Sequence, residues 1–328
     1  MRFGTITIVG RSNVGKSTFL NAALGEHLAI VSRLPQTTRD VLLGVVHRPG
    51  AQLAFYDTPG LHHARSELGR RMNASALEAA RSADVLLLLS DVSTMPKQAG
   101  KVARVDPSAL VGAEDARLIA ELPADVPALL VVNKVDLLRS KTHLLPLIES
   151  FRKLRQFASV VPACLLERED VERVLQALCE LVTDGPPAFA DDMLTDRPQS
   201  FFAREFVREA VLGTLRGEVP HAIAVSIDRY EELEKLVRIA ATVHVEKLGQ
   251  RKIVVGEGGQ IIREIGTLAR KRIEGLVGRK VYLELFVRVT PRWKNMPRQL
   301  SELGYEGSAS GPAETASSGT KRVKGQRA

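Results

Sequence analysis

The sequence predicts an α/β protein in which a doubly wound domain with a mostly parallel sheet precedes a smaller α+β domain. Apolar runs of strand length at 5–9, 52–56, 85–89 and 128–132 alternate with helical segments, which is typical of a parallel sheet covered by helices. A polar stretch from Asp191 to Pro198 separates this pattern from a different one. The length of 328 residues is enough for about two such domains.

The domain limits follow from changes in composition. A helix predicted over Asp170–Val182 closes the first domain, which we place at 1–183, and an Asp-Gly-Pro-Pro run opens a linker over 184–200. The second domain then occupies 201–306. The tail, 307–328, is rich in Ser, Gly and Ala and ends in basic residues, so we expect it to be disordered.

Periodicity predicts the main elements of the second domain. Phe201–Leu215 is amphipathic at helical spacing, and His221–Asp228 and Val237–Glu246 are strand candidates. In the first domain, the segment Val92–Asp115 is rich in Gly, Pro and Lys and is predicted to be an inserted surface loop.

Composition limits the classes of protein to consider. The two cysteines, Cys164 and Cys179, stand in a sequence without a secretory leader, which favours a reducing compartment, the cytoplasm, and no disulfide framework. Apolar runs such as Val85–Leu89 fall far below the roughly 20 residues that a membrane span requires. The formal net charge of +8 favours an acidic partner.

A glycine-rich turn that ends in Gly-Lys-Ser follows the first strand directly. Gly10 and Gly15 permit backbone torsions and close approaches that a side chain forbids, so successive N–H groups can face a phosphate. In such a loop Lys16 reaches the β and γ oxygens of a nucleotide, and the Ser17 hydroxyl binds Mg²⁺. A chance glycine turn would not explain the preceding strand and the following amphipathic helix. We therefore expect the phosphates to contact Gly10, Asn13, Val14, Gly15, Lys16, Ser17 and Thr18.

The base of the bound nucleotide is predicted from the motif Asn133-Lys134-Val135-Asp136. This motif follows the apolar run 128–132 and so lies at the carboxyl end of a strand. The Asp136 carboxylate can accept from both the ring N1–H and the exocyclic amine of guanine, whereas adenine offers no such donor pair. Alone, the tetrapeptide would also fit a charged surface turn. After a strand and downstream of a phosphate loop, it predicts GTP and GDP as ligands, with Asn133, Lys134 and Asp136 at the base.

Two further segments supply candidate Mg²⁺ ligands. Asp57-Thr58-Pro59-Gly60 follows a strand, and we expect Asp57 to hold Mg²⁺ through water and the Gly60 N–H to bond the γ-phosphate. The polar loop at 35–40 offers two hydroxyls, of which Thr38 is the preferred second ligand and Thr37 the alternative. The predicted metal set is Ser17, Thr38 and Asp57.

These motifs, in this order from Gly10 to Asp136, resemble the translation-factor class of P-loop GTPases. Leu61 occupies the position at which Ras-like enzymes carry the glutamine that orients the attacking water. For a subfamily with a hydrophobic residue here, the resemblance implies slow hydrolysis and help from a K⁺ ion held partly by Asn13. The alternative for Asn13 is that it only braces the loop. The catalytic candidates are Lys16, Thr38, Gly60 and Asn13.

The guanine pocket departs from that class at its far side. The Ser-Ala pair that usually follows the Val-Pro strand end is replaced by Cys164-Leu165. Because the expected contact is mainly a backbone N–H to the guanine O6, we expect Cys164 and Leu165 to supply it with weaker nucleotide affinity.

The second domain carries Gly256-Glu257-Gly258-Gly259 between an apolar run and a predicted helix. In KH domains a Gly-x-x-Gly loop clamps the backbone of about four single-stranded nucleotides. The motif alone is weak, but between residues 244 and 298 thirteen basic residues stand against five acidic ones, which favours a nucleic-acid partner. Glu257 reduces phosphate attraction in the loop itself. The RNA-binding candidates are Gly256, Glu257, Gly258, Gly259, Lys252, Arg263 and Arg270.

With this loop behind the GTPase motifs, the sequence from about Gly4 to Tyr305 resembles the Era family of bacterial GTPases; Leu194–Arg197 and Val281–Val289 also match that family. The resemblance implies a doubly wound P-loop GTPase domain followed by an α+β type II KH domain. It further implies a GTP-dependent switch that binds the 3′ end of 16S rRNA and assists assembly of the small (30S) ribosomal subunit. Loose contact with the anionic cytoplasmic face of the membrane is implied too, and basic residues would explain it.

Two alternatives remain at this point. The altered base pocket and the missing glutamine are compatible with a nucleotide-sensing RNA chaperone that has negligible GTPase turnover. A GTPase acting on tRNA modification or on the large subunit is disfavoured, because a single GTPase domain is followed directly by the KH motif.

Overall fold

The structure, a computed structural model, describes residues 1–32, 34–95, 110–138, 140–305 and 322–324. It divides into two compact units. The first comprises Met1–Ala29, Pro35–Ala64 and Met72–Thr195, and the second comprises Ile30–Leu34, Arg65–Arg71 and the chain from Asp196.

A mixed, mainly parallel sheet forms the centre of the first unit. Its main path follows the order β2-β3-β1-β4-β5-β6, in which β2 runs antiparallel to β3 and the other neighbours are parallel; β7 pairs antiparallel with β1. The predicted α/β class is therefore confirmed. The strands are β1 Arg2–Val9, β2 Leu42–Arg48, β3 Ala51–Asp57, β4 Val85–Asp91, β5 Ala128–Asn133, β6 Ser159–Pro162 and β7 Thr183–Asp184.

Burial of the central strands explains their continuous apolar sequence. Every residue of β4 and of β5 is buried, as expected when a parallel strand is covered on both faces. One core cluster joins Leu86 and Leu88 of β4 to Leu130 and to helix residues Ala76 and Phe151. The helices are α1 Lys16–Leu24, α2 Glu67–Arg81, α3 Ala113–Glu121, α4 Leu144–Leu154 and α5 Arg168–Leu181.

The second unit is built on a three-stranded sheet in the order β11-β10-β9, with β11 parallel and β9 antiparallel to β10. Its elements follow the chain order α-β-β-α-α-β, which is the arrangement expected of a type II KH domain. They are α6 Gln199–Thr214, β9 Ala224–Glu232, β10 Leu236–Val245, α7 Leu248–Val255, α8 Gln260–Val277 and β11 Lys280–Val289. Beyond β11, Trp293 is fully buried and donates from Nε1 to Ala222 O at 3.0 Å, and α9 spans Pro297–Glu302.

Several sequence expectations need correction. Regular structure continues past Val182, because β7 pairs with β1 and the predicted linker contains strand β8, Met193–Pro198. The predicted surface loop Val92–Asp115 ends too late, since α3 begins at Ala113 and Asp115 is buried. The apolar run before the glycine loop, whose structure the sequence left unassigned, ends helix α7.

Other expectations fall partly outside the described residues. This holds for 96–109 of the predicted loop and for most of the tail. Within the tail, Arg322–Lys324 forms strand β12, which pairs with β8. Among the helices that the structure describes, none combines the length and the apolar character needed to cross a membrane.

Candidate functional site

The loop between β1 and α1 is held tightly by its neighbours. Gly10 has φ 152°, and a Cβ there would lie 2.3 Å from the Leu89 carbonyl oxygen. Gly15 has φ 110°, and a Cβ there would lie 2.5 Å from Nδ2 of Asn133. Both positions therefore require glycine for the reason that the sequence predicted, close approach of the backbone.

Substitution at Gly10 tests this packing. Gly10→Ala should lower the free energy of unfolding by about 1–3 kcal/mol more than Gly50→Ala, because both sites have positive φ but only Gly10 faces a backbone atom. Urea unfolding of the two variants measures the difference. Equal losses would mean that the loop moves to accommodate the methyl group.

Lys16 is buried at the start of α1. Its Nζ donates to Gly10 O at 3.0 Å and to Arg11 O at 2.8 Å, so the ammonium lies inside the loop. Burial lowers the pKa of Lys16 to about 8, with the Asp57 carboxylate acting in the opposite direction. A poorly hydrated cation surrounded by carbonyl oxygens is well suited to receive a phosphate.

The three predicted metal ligands converge beside Lys16. The Ser17 hydroxyl donates to Asp57 Oδ2 at 2.7 Å and lies 2.9 Å from Thr38 Oγ1, so the hydroxyl placed against Ser17 belongs to the preferred threonine. Asp57 is fully buried, and its Oδ1 has no hydrogen-bond partner among the described atoms. Burial raises the pKa of Asp57 to about 6, with Lys16 acting in the opposite direction. A hard-oxygen set with an orphaned carboxylate oxygen fits Mg²⁺.

The segment after Asp57 lies against the phosphate loop. Thr58 donates from Oγ1 to Ile8 O at 2.7 Å, which fixes the chain as it leaves β3. A Cβ on Gly60 would lie 2.8 Å from both N and Oγ of Ser12, so Gly60 has room only for a hydrogen. Leu61 is only 9% exposed and belongs to the core. The position that could hold a water-orienting side chain is thus apolar.

The guanine motif is bonded to the phosphate loop. Asn133 donates from Nδ2 to Val14 O at 2.7 Å and accepts at Oδ1 from the N–H groups of Lys134, at 2.7 Å, and of Leu165, at 3.0 Å. Lys134 donates from Nζ to Asn13 O at 2.9 Å. These contacts place the motif beside the loop that follows β1.

On the far side of the predicted base pocket, the backbone N–H groups predicted to bind guanine are already hydrogen-bonded within the chain. Both N–H groups assigned to guanine O6 have acceptors within the chain, Asp170 Oδ2 for Cys164 at 2.6 Å and Asn133 for Leu165. Burial, followed by hydrogen bonding to Asp136, raises the pKa of the Cys164 thiol. The thiol therefore lies beside the carboxylate predicted to bind guanine, and the role of the two N–H groups stays a prediction.

Sequence reasoning missed a charged cluster at the carboxyl ends of β4 and β5. Asp91 contacts Lys134, and Arg11 donates from Nε to Asp115 Oδ1 at 2.8 Å. Ser90 donates to the other Asp115 oxygen at 2.9 Å. The available signal was position, since Asp91 lies just beyond the apolar run 85–89, where α/β sheets place their functional residues.

The glycine loop of the second unit joins two helices. Gly256, Gly258 and Gly259 have φ values of 72°, 56° and 76°, and a Cβ on Gly256 would lie 2.6 Å from Cγ1 of Ile261. Arg263 donates to the carbonyls of Gly258 and Gly259, the latter at 3.2 Å, and so braces the loop. The side chains of Lys252, Glu257 and Arg270 are exposed.

Fold and site together define a P-loop GTPase domain followed by a KH domain. Residues 5–134 match the family model described as 50S ribosome-binding GTPase, and residues 218–294 match the KH domain model. GTPase Era of Geotalea uraniireducens is 40% identical over 93% of this chain and 98% of its own, and GTPase Era of Xanthomonas oryzae pv. oryzae is 42% identical over 93% and 97%. The chain belongs to the Era family of GTPases.

Two solved structures resemble the whole chain. An Era variant from Aquifex aeolicus bound to GDP·AlF4⁻ has a TM-score of 0.82 at 32% identity and covers 93% of this chain and 99% of its own. Era in complex with MgGDPNP and nucleotides 1506–1542 of 16S ribosomal RNA gives the same values. The expected succession of a GTPase domain and a KH domain is therefore confirmed.

Proposed function

We propose that this protein is a GTP-hydrolysing switch that binds the 3′ end of 16S rRNA and assists assembly of the 30S subunit. The observation that carries the proposal is the convergence of Lys16, Ser17, Thr38 and Asp57 at one site. The relative solved with MgGDPNP and a 16S rRNA fragment supports the same pair of ligands here.

The phosphates are bound by groups that are already in place. Lys16 would exchange its two loop carbonyls for β and γ oxygens. The unpaired N–H groups that begin any helix would add to this anion site at the start of α1. Ser17, Thr38 and Asp57 would hold Mg²⁺, and the metal would supply positive charge to offset that of the phosphates. Thr38 and Gly60 lie in separate loops, and both are proposed to contact the γ-phosphate. Because GDP lacks this phosphate, the two loops would be held in place only when GTP is bound.

We expect slow intrinsic hydrolysis. Leu61 is aliphatic and buried, so it cannot orient a water molecule as a glutamine does. Stimulation by K⁺ is proposed from the family resemblance, with Asn13 holding the ion in part. Asn13 has φ 65°, a left-handed conformation that holds the loop in shape.

The second unit supplies the RNA site in this proposal. Its glycine loop gives a phosphate backbone close access at Gly258, where a Cβ would meet nothing within 4 Å. Lys252 and Arg270 are exposed and available to phosphates, while Arg263 shapes the loop.

The domain plan and location form part of the same proposal. It assigns 1–183 to the GTPase domain, 184–200 to a linker, 201–306 to the KH domain and 307–328 to a basic tail. The protein would act in the cytoplasm, and its basic residues would allow weak contact with an anionic membrane surface.

The pKa shifts predict a pH window for ligand binding. Mg²⁺ requires the Asp57 carboxylate, so Mg²⁺ affinity should fall as the pH drops below about 6. The unliganded protein loses the Lys16 cation above a pH of about 8, so affinity for the triphosphate should fall beyond that point. Titrating binding of a fluorescent GTP analogue from pH 5 to 9 measures both limits, and the acid limit should disappear in EDTA.

The same pKa shifts predict how the stability of the unliganded protein depends on pH. The Asp57 pKa lies above its usual 3.8, so its stabilising contribution is complete below that value and is lost as the pH rises through about 6. The Lys16 pKa lies below its usual 10.5, so its contribution is present above 10.5 and is lost as the pH falls through about 8. Both charged forms therefore disfavour the unliganded fold at neutral pH, and nucleotide with Mg²⁺ should stabilise it.

Hydrolysis measured with and without RNA tests the proposal. The purified full chain is assayed with GTP and Mg²⁺ in KCl and in NaCl, with 16S 3′-end RNA and with its complement as the control RNA. Lys16→Ala provides the blank. Turnover above the blank that rises with the 3′-end RNA or with K⁺ supports a coupled switch, whereas RNA binding without turnover in any condition supports the RNA chaperone instead.

A further inference from the structure

One buried carboxylate lies between the two halves of the nucleotide site. Asp91 is the last residue of β4, is only 4% exposed, and pairs across the sheet with Asn133, the first residue of the guanine motif. The carboxyl ends of β4 and β5 thus bring Asp91 beside the segment that begins with Asn133.

Asp91 connects the guanine motif to the phosphate loop through Lys134. Its Oδ2 accepts from Lys134 Nζ, and the same ammonium donates to Asn13 O at 2.9 Å. Its Oδ1 accepts from the Ser93 N–H at 3.2 Å and lies 3.6 Å from Arg11 Nη2. A single side chain therefore holds one cation of the guanine motif and faces one cation of the phosphate loop.

A second carboxylate fixes Arg11 on its other side. Asp115, 2% exposed, accepts from Arg11 Nε and from the Ser90 hydroxyl. Arg11 and Lys134 thus face the buried carboxylates of Asp91 and Asp115, and the exposed Glu114 also lies 3.8 Å from Arg11 Nη1. Removing the charge of Asp91 leaves Lys134 without its anion, while Arg11 keeps Asp115.

We propose that Asp91 is a positioning residue for nucleotide binding, which holds the Lys134 ammonium against the phosphate loop before the ligand arrives. This inference rests on the proposed binding of guanine nucleotide at the loop. A lysine side chain is long and flexible, so ordering it costs conformational entropy. Because Asp91 orders the side chain before the ligand arrives, binding does not incur that entropy cost. Base recognition and phosphate binding are then energetically coupled.

A double-mutant cycle tests this coupling in the full chain. Equilibrium binding of a fluorescent GDP is measured for Asp91→Asn, for Lys134→Gln and for the double variant. We expect each single change to raise the dissociation constant about 10- to 100-fold, the range for a charge-assisted hydrogen bond, and the double variant to stay within about twofold of Lys134→Gln. For Asp91→Asn, the KM for GTP should rise while the kcat at saturation stays within about twofold.

Two controls separate positioning from folding. Asp84→Asn removes a carboxylate that precedes the other end of β4 and accepts from the Thr5 N–H at 2.7 Å, away from the site. Ser93→Ala removes the hydroxyl that donates to Asp91 Oδ1 but keeps the Ser93 N–H donor and leaves Lys134 in place. Both should keep the wild-type dissociation constant. Should Asp91→Asn fail to fold, Asp91→Glu retains the charge, displaces it by one methylene and completes the same cycle.

Additive effects in the cycle, or an affinity loss matched by Asp84→Asn at equal loss of stability, would overturn the inference. The proposed function would still stand in that case, because wild-type protein would still bind the fluorescent GDP. If wild-type protein itself failed to bind GDP, the proposed function would fall first.

Discussion

Lys16→Ala should lower GTP turnover by about 10²- to 10³-fold, the range for losing one preorganised group that stabilises transition-state charge. The ammonium is buried within the phosphate loop and is bound only through carbonyl oxygens in the contacts described above, so it is free to exchange them for phosphate oxygens. Lys16 is the only lysine between Gly10 and Ser17. Initial rates at saturating GTP and Mg²⁺ measure the loss.

The fold should survive this change. Lys16→Ala removes one buried charge but also removes the attraction that compensates the buried Asp57 carboxylate, so the two effects oppose each other and the free energy of unfolding should change little. Lys153→Ala, at an exposed lysine on α4, serves as the matched control and should keep wild-type turnover. Retained turnover in Lys16→Ala would show that another group carries the charge.

The parallel sheet and its site were predictable because strands β1, β3 and β5 each end at a motif. Val9 leads into the phosphate loop, and the run 128–132 leads into Asn133. Apolar runs and motif positions therefore predicted the same strand ends. The register of the sheet then brings Asp57, Asp91 and Asn133 to one edge. Pairing of β1 with β3 thus explains why Asp57 meets Ser17, whereas Thr38 reaches them from the loop before β2.

The remaining features depend on tertiary contacts that leave no periodic signal. Strand β7 has two residues and pairs with Arg2 and Phe3 of β1, which lie before the part of β1 that pairs with β4. Strand β8 ends at Pro198, a residue that sequence rules associate with linkers. The partners of Arg11 and Lys134 could not be assigned from spacing, because Asp115 is separated from Arg11 by more than 100 residues. Charged residues at strand ends were candidates, but their pairing needed the structure.

Asp136→Asn should convert base preference from guanine to xanthine. The carboxylate is predicted to accept from guanine N1–H and the exocyclic amine, while an amide presents one acceptor and one donor. Xanthine has a carbonyl in place of the amine, so it matches the amide and mismatches the carboxylate. We expect GTP affinity to fall about 10²- to 10⁴-fold and XTP affinity to rise by a similar factor, since an unpaired polar group in a closed site carries a penalty of that order.

Competition between GTP and XTP for the fluorescent GDP site measures both affinities. Asp136 lies in a short turn after β5 and is exposed, so the substitution should leave the free energy of unfolding unchanged. Asp125→Asn, at an exposed aspartate before β5, is the matched control and should keep the preference for GTP. A variant that loses GTP without gaining XTP would show that Asp136 shapes the pocket through the Cys164 thiol beside it, and that the base is selected by other groups.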